Sequence, residues 1–508
     1  MSSRGMRWGG LLLLLMVVPA ALWWPFAPRI GPGAGSGGGF AAVDEFVAER
    51  LTAARLPGAA LAVVRDGRVV HVRGFGHTGG GGPVTPASGF RIASLTKAFT
   101  ATAVLRLVEA GRVRLDAPVT DYLPGFRVAD PRGGRITVRH LLNQTSGLAD
   151  TGFPEQTMPP PADLSGRVVS LRAARMVSAP GTRFHYFNPN YDVLARVVEV
   201  VTGRPYETAL RTTIFEPLGM RGTSVVLYGR GPRGAPPPEN GHVLVYGVAV
   251  ARPELDGFLG GEGSVVSTAD DMARWLVVQS TGEYAGRRLL TPASLELMRT
   301  PPPGVAGTAY GMGWTAERAP DGSARLTHNG VLSTYYAEAS LDRASRGGVV
   351  LLFNSGNALA PYHAIMQGVT AILDGRRAEP GLPFAAIELP LTWLTILVLM
   401  VRGRRLVRFR AWAARRRGDP VWRHLLVLPW LFAPAVLLAA LPALTAAFSG
   451  RVFGQHQLLR AMPSVYGLLG AAALTGLVLA GCRVAFAVRR PRGPRADALD
   501  GGVRQPVR

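Results

Sequence analysis

After Pro380 the chain carries three apolar runs, roughly 384–401, 425–448 and 464–488, each long enough to cross a bilayer. Lipid offers the backbone no hydrogen-bond partners, so a lone segment that crosses it has to be a helix. The flanks supply a direction. Nine Arg and one Asp lie between residues 402 and 423, and six Arg and two Asp between 489 and 508, whereas the connection between the second and third runs holds only Arg451 and Arg460. Cations collect on the cytoplasmic side of membrane proteins. Three spans over 384–488 that begin outside end inside, which predicts a multi-pass protein of the cell membrane with a cytoplasmic basic tail over 489–508. The two Arg-rich flanks account for about half of the formal net charge of +23. The charge therefore reads as topology, and nucleic acid is not an expected partner.

The other end of the chain is also apolar. Arg4 and Arg7 precede an uncharged run from Leu11 to Leu22, so residues 1–27 read as an export signal, either cleaved near Val18-Pro19-Ala20 or retained as an anchor. Residues 28–39, rich in Gly, read as a tether. The remaining domain, about 40–377, then lies outside the cytoplasm. The only cysteine of the chain, Cys482, sits in the third apolar run, so no intramolecular disulfide and no Cys-based metal site is expected. The nine histidines include no H-E-x-x-H pair, and neither a metal nor a cofactor is expected.

Within 40–377 a helix-like opening to Ala54 precedes Leu61–Val64 and Val69–Val72, which flank Asp66-Gly67 as a β-hairpin would. Helical periodicity follows in Thr100–Ala110 and Tyr191–Val201. Strand-like segments return at Ala324–Thr327, Tyr335–Leu341 and Gly348–Phe353, and Pro361–Leu373 reads as a closing helix. The expected class is α+β: an antiparallel sheet built from both ends of the domain, helices packed on it, a helical subdomain between, and three transmembrane helices after it.

One residue type is nearly missing. Of 56 basic side chains, 55 are Arg and one is Lys. Lys97 follows Ser94 by three positions, at the start of a helical run, so the hydroxyl and the amine share a helix face. The helix N-terminus favours negative charge developing on Ser94. Burial would favour the neutral amine, which accepts a proton where a guanidinium cannot. Ser94 and Lys97 are thus a candidate nucleophile and base.

A second group, Phe184-His185-Tyr186-Phe187-Asn188-Pro189-Asn190-Tyr191, stands directly before an amphipathic helix. S-x-x-K, then Y-x-N, then His328-Asn329-Gly330 resembles the class C β-lactamase-related serine hydrolases and low-molecular-weight penicillin-binding proteins. Ile136–Leu148, Glu216–Met220 and Val266–Ala273 resemble the same family, and the likeness runs from about Phe40 to Leu373. It implies that Ser94 is acylated, that Lys97 and Tyr186 move its proton, and that Asn188 orients Lys97 and a substrate amide. His328 stands where many relatives have Lys; it either holds a substrate carboxylate as a protonated imidazole or is a hydrogen-bonded strand histidine. Gly330 would let the substrate backbone approach, and the N–H groups of Ser94 and Val331 would form an oxyanion hole. Glu262 departs from the Pro-Ala-Gly-Gly common in relatives.

The expected activity is hydrolysis of an amide or ester in a small-molecule or peptide substrate, cell-wall peptides among them. The alternative is a non-catalytic or slowly acylated penicillin-binding sensor coupled to the membrane helices. His140 with Thr145–Gly147, and Ser267-Thr268 with Asp270-Asp271, read as helix-end and turn residues, and His185 and Tyr191 as packing.

Overall fold

The computed structural model describes residues 39–227, 239–255, 257, 259–305, 307–319, 322–379, 381 and 383–488. The expected export signal, most of the tether and the basic tail lie outside the described residues. The chain divides into two compact units, one of residues 1–389 with 442–463, the other of 390–441 with 464–508.

In the first unit, helix α1 (Gly39–Ala54) leads into strands β1 (Gly58–Arg65) and β2 (Arg68–Gly76). Asp66 and Gly67 between them both have positive φ, 52° and 69°. That is the two-residue turn whose twist matches a hairpin, and it explains the Asp-Gly signal. Helices α2 (Thr96–Glu109), α3 (Pro189–Thr202) and α4 (Ala269–Thr281) follow, then strands β3 (Thr315–Arg318), β4 (Ala324–Val331), β5 (Tyr336–Asp342) and β6 (Gly347–Phe353), and helix α5 (Tyr362–Leu373). The strands form one sheet in the order β3-β4-β5-β6-β1-β2, antiparallel throughout. Its two halves come from opposite ends of the domain and join where β1 pairs β6, from Ala59 opposite Phe353 to Val64 opposite Gly348.

Successive residues of a strand face opposite sides, and β1 is apolar on both. Ala59, Leu61 and Val63 pack with Val43, Phe46, Val47 and Leu51 of α1 and with Ile365, Met366 and Val369 of α5. Ala60, Ala62 and Val64 pack into the larger core with the middle helices, where Phe99 of α2 stacks on Trp275 of α4 at 3.8 Å. Side chains of this size contribute roughly 1.5–3 kcal/mol each when fully buried. Thr268 caps α4 by accepting from Asp271 N–H, and Thr137 and His140 form a reciprocal cap on a short helix, in line with the helix-end reading of both.

The second unit is formed by three apolar helices of membrane-span length, α6 (Ala385–Val407), α7 (Leu428–Ser449) and α8 (Pro463–Val488), with the ends of α6 and α7 in the first unit. Leu394, Leu397, Val436, Leu437, Leu474 and Val478 are exposed on them. Surfaces of that kind suit lipid rather than water.

Helices α1 and α5 close over the sheet because Gly368 has no side chain: a Cβ there would stand 2.1 Å from the Phe46 ring. Gly→Ala inside a helix ordinarily stabilises by up to about 1 kcal/mol. Gly368→Ala is expected instead to lower the melting temperature. In a Phe46→Ala background, itself costing about 3–5 kcal/mol, the penalty should vanish or reverse, which a thermal double-mutant cycle measures.

Candidate active site

Ser94 is presented by a strained turn. A short sheet pairs Phe90–Arg91 with Val265–Ser267, and Ile92 N–H donates to Val265 O at 3.0 Å. The next residue, Ala93, has φ +48°, in the left-handed region that costs a side-chain-bearing residue of order 1–3 kcal/mol. A 3-10 turn over Ala93–Leu95 then feeds α2. The segment around residues 260–265 straps this helix start: Val265 N–H donates to Thr96 Oγ1 at 3.0 Å, and Thr100 Oγ1 donates to Gly261 O at 2.5 Å. Gly261 is wedged against α3, where a Cβ would meet Tyr191 O at 2.2 Å.

Three of the expected residues meet here. Lys97 Nζ and Tyr186 Oη each lie 3.0 Å from Ser94 Oγ. Lys97 is fully buried, and its amine also donates to Glu262 O at 2.9 Å and faces Glu262 Oε2 at 3.5 Å. Glu262, the departure from the family pattern, is therefore a carboxylate set against the Lys97 amine. Tyr186 is placed by Gln144: its Oε1 accepts from Phe187 N–H at 3.2 Å and Asn190 Nδ2 at 2.6 Å, and its carbonyl accepts from His185 N–H at 2.9 Å. The Gln144–Gly147 turn thus anchors the Y-x-N loop.

Asn188 differs from expectation. Its amide N–H donates to Glu155 Oε1 at 3.2 Å, and the acceptors of the Lys97 amine are Ser94 and Glu262. Glu155 and Asp192 flank Arg167, each at 3.2 Å, in a buried row beneath the site. Burial pushes the Glu155 carboxyl up and that of Asp192 well above its usual range, against the pull of Arg167. Asn188 Oδ1 has no hydrogen-bond partner among the described residues.

On β4, His328 is buried. Its Nδ1 lies 2.8 Å from Asn329 O and its Nε2 3.1 Å from Tyr310 Oη. A carbonyl only accepts, so Nδ1 carries the proton and Nε2 accepts from the phenol. Burial, then the charge of Lys97, push its pKa down to about 3. The expectation that a protonated His328 holds a carboxylate is thereby corrected: the imidazole is neutral, one wall of an aromatic group with Tyr310, Tyr186 and Phe184. Gly330 is also required for a different reason than expected. A Cβ there would meet Ile92 O at 2.3 Å and Ser94 N at 3.0 Å, so the strand must be bare for the nucleophile turn to lie against it. Leu332 N–H donates to Tyr335 O, and ladder alternation then turns the Val331 N–H away from β5. It faces the edge beside Ser94 that β3, paired only with residues 324–327, leaves open.

Two further residues escaped the sequence reading. Arg451 Nε donates to Asp150 Oδ2 at 2.6 Å, and its guanidinium carbon lies 5.1 Å from the Tyr186 ring centroid. The only signal in the sequence was that Arg451 is one of two cations in an otherwise uncharged connection. Asp150, three residues after Gly147, gave none.

An antiparallel sheet flanked by helices, with Ser and Lys at i and i+3 on a buried helix start, is the architecture of the serine hydrolases that include β-lactamases and penicillin-binding proteins. The chain belongs to the Beta-lactamase family, whose model matches residues 43–365. Penicillin-binding protein 4 of Amycolatopsis lactamdurans is 32% identical over 363 residues, covering 65% of this chain and 90% of the relative. Among solved structures, the octameric penicillin-binding protein homologue from Pyrococcus abyssi aligns with a TM-score of 0.58 and 26% identity, over 70% of this chain and 81% of that one. A D-stereospecific amidohydrolase from Streptomyces sp. aligns with a TM-score of 0.50 and 27% identity, over 62% and 94%.

Two outcomes follow from this geometry. Gly330→Ala is expected to displace the Ser94 turn and slow its acylation about 100-fold, the scale of a 1 Å misplacement, as single-turnover labelling would read. For His328 the folded state excludes a proton that the unfolded chain takes up below about 6.5. Its contribution to stability is full above that pH and is lost as pH falls toward about 3. The melting temperature of His328→Gln should therefore fall less steeply than wild type between roughly pH 6.5 and 4, the upper part of that window.

Proposed function

We propose that this protein is a membrane-anchored, extracytoplasmic serine hydrolase that cleaves amides or esters through an acyl-enzyme on Ser94. The observation that carries the reading is one hydroxyl flanked by an amine and a phenol, both at 3.0 Å. With Lys97 in its neutral form, Ser94 Oγ attacks the substrate carbonyl carbon and its proton passes to that amine. The N–H groups of Ser94 and Val331 receive the oxyanion. As the tetrahedral intermediate collapses, Tyr186 gives its proton to the leaving amine or alcohol and is reprotonated from Lys97. Water then attacks the acyl-enzyme by the same route in reverse, releasing the acid and restoring Ser94.

Relatives named as a penicillin-binding protein and a D-stereospecific amidohydrolase favour small-molecule or peptide substrates. The connection over 450–462 lies in one compact unit with the domain, which supports the reading that the two share a side of the membrane. This fits α6 and α7 crossing and returning, with Arg408 and the basic tail cytoplasmic.

Labelling of the full-length protein with a fluorophosphonate tests the reading. Wild type should form an adduct on Ser94. Lys97→Arg, and Lys97→Met with less added volume, should slow its formation by ~10²- to 10⁴-fold, the usual general-base contribution, while still melting cooperatively. No adduct on folded wild type, or a folded Lys97→Met within about threefold of it, would sink the proposal. An adduct of penicillin that forms but never turns over would favour a receptor.

A further inference from the structure

Two cationic side chains lie over the Tyr186 ring, and they differ in kind. Lys97 Nζ is 5.0 Å from the ring centroid and the Arg451 guanidinium carbon 5.1 Å. Lys97 exchanges a proton with Ser94 in each turnover, so its charge comes and goes. A guanidinium keeps its proton throughout. His328 and Tyr310 also pack on the ring but bring no charge, because burial keeps the imidazole neutral and the Tyr310 phenol protonated. Arg451 supplies the constant charge.

It comes from the connection between α7 and α8, which is pinned to the domain on both sides. Ala358 N–H donates to Ala461 O at 2.7 Å, and Arg460 Nη1 to Pro253 O at 2.8 Å. Asp150 Oδ2 accepts from Arg451 Nε at 2.6 Å and from Val452 N–H at 3.1 Å, and the Phe453 ring centroid lies 5.9 Å from the guanidinium carbon. The Arg451 side chain is 18% exposed and that of Asp150 1%. Burial opposes the charge most, but Asp150, then Tyr186 and Glu155, together outweigh it and hold the guanidinium above its ordinary range. A buried ion pair is weak evidence of stability. Fixing this one on the ring whose hydroxyl touches Ser94 points to the chemistry instead.

A neutral phenol ring holds a cation through its quadrupole; a phenolate holds it with a full charge. The attraction therefore grows as Tyr186 loses its proton, and a contact that grows along a step lowers its barrier. We propose that Arg451 is a positioning residue acting through Tyr186, favouring the anion that the phenol becomes when it protonates the leaving group. In that step the bond from the carbonyl carbon breaks with its electron pair going to the leaving nitrogen or oxygen. That atom takes the phenol proton, and the phenolate is reprotonated from the Lys97 ammonium. The α7–α8 connection then completes the active site, and it serves substrates whose leaving group cannot depart unprotonated, amides and alkyl esters. This rests on Ser94 being acylated with Tyr186 as proton donor.

The test uses the full-length protein in detergent with the ethyl and para-nitrophenyl esters of N-acetylglycine. Ethanol needs a proton as it leaves; para-nitrophenolate departs as a stable anion. Arg451→Gln should lose about 10- to 30-fold in kcat/KM on the ethyl ester, the scale of a desolvated cation on a ring, and stay within about threefold of wild type on the nitrophenyl ester. Asp150→Asn combined with Arg451→Gln removes both charges, leaving neither buried alone, and carries the same test if the single variant does not melt cooperatively. Equal losses on both esters, or no loss on the ethyl ester, overturn the proposal; equal losses would mean that Arg451 only holds the loop in place. Wild type that cleaves the nitrophenyl ester but not the ethyl ester would overturn it too, since Tyr186 would then not protonate the leaving group. If neither ester nor fluorophosphonate acylates Ser94, the hydrolase reading fails, and this proposal with it.

Discussion

An amine sealed from water needs acceptors, and much of this domain is arranged around the one that Lys97 carries. Ser94 Oγ, Glu262 O and the Glu262 carboxylate surround it within 3.5 Å. Each acceptor needs its own support. The Glu262 segment is held by Thr96 and Thr100 on α2 and pressed into α3 through Gly261. Ser94 sits on a turn that requires positive φ at Ala93 and a bare backbone at Gly330. Removing one acceptor would leave a buried polar group unmatched, which is why residues distant in the chain are locked into one arrangement.

Features set by local chemistry could be read from the sequence. Asp66-Gly67 specifies a turn whose twist matches two such strands, and the lone lysine stood out against 55 arginines. Period-2 and period-3.6 patterns placed the sheet and its helices because one-sided burial imposes them. The Y-x-N loop was recognisable by resemblance, but its support by Gln144 was not, since that contact joins distant segments.

What escaped was set by partners far along the chain. Glu262 was visible as a departure, yet its purpose depends on Lys97, 165 residues away. Arg451 and Asp150 are separated by 301 positions. Asn188 and His328 were expected to meet Lys97 and an anion. The buried Glu155 instead takes the Asn188 amide, and desolvation strips His328 of its charge. Motifs carry residue types; the dielectric around them comes from the packed core and alters what those types can do.

The same composition makes the protein unusual as a chemical reagent's target. Lys97 is the only lysine, so isothiocyanates, aldehydes or a lysine-directed endoprotease have a single side-chain address in the chain. In the folded state that address has no exposed surface. Modification there requires the helix that begins at Thr96 to part from its neighbours. The rate at which an amine reagent enters therefore reports how often the packing around Lys97 opens, without any label being introduced.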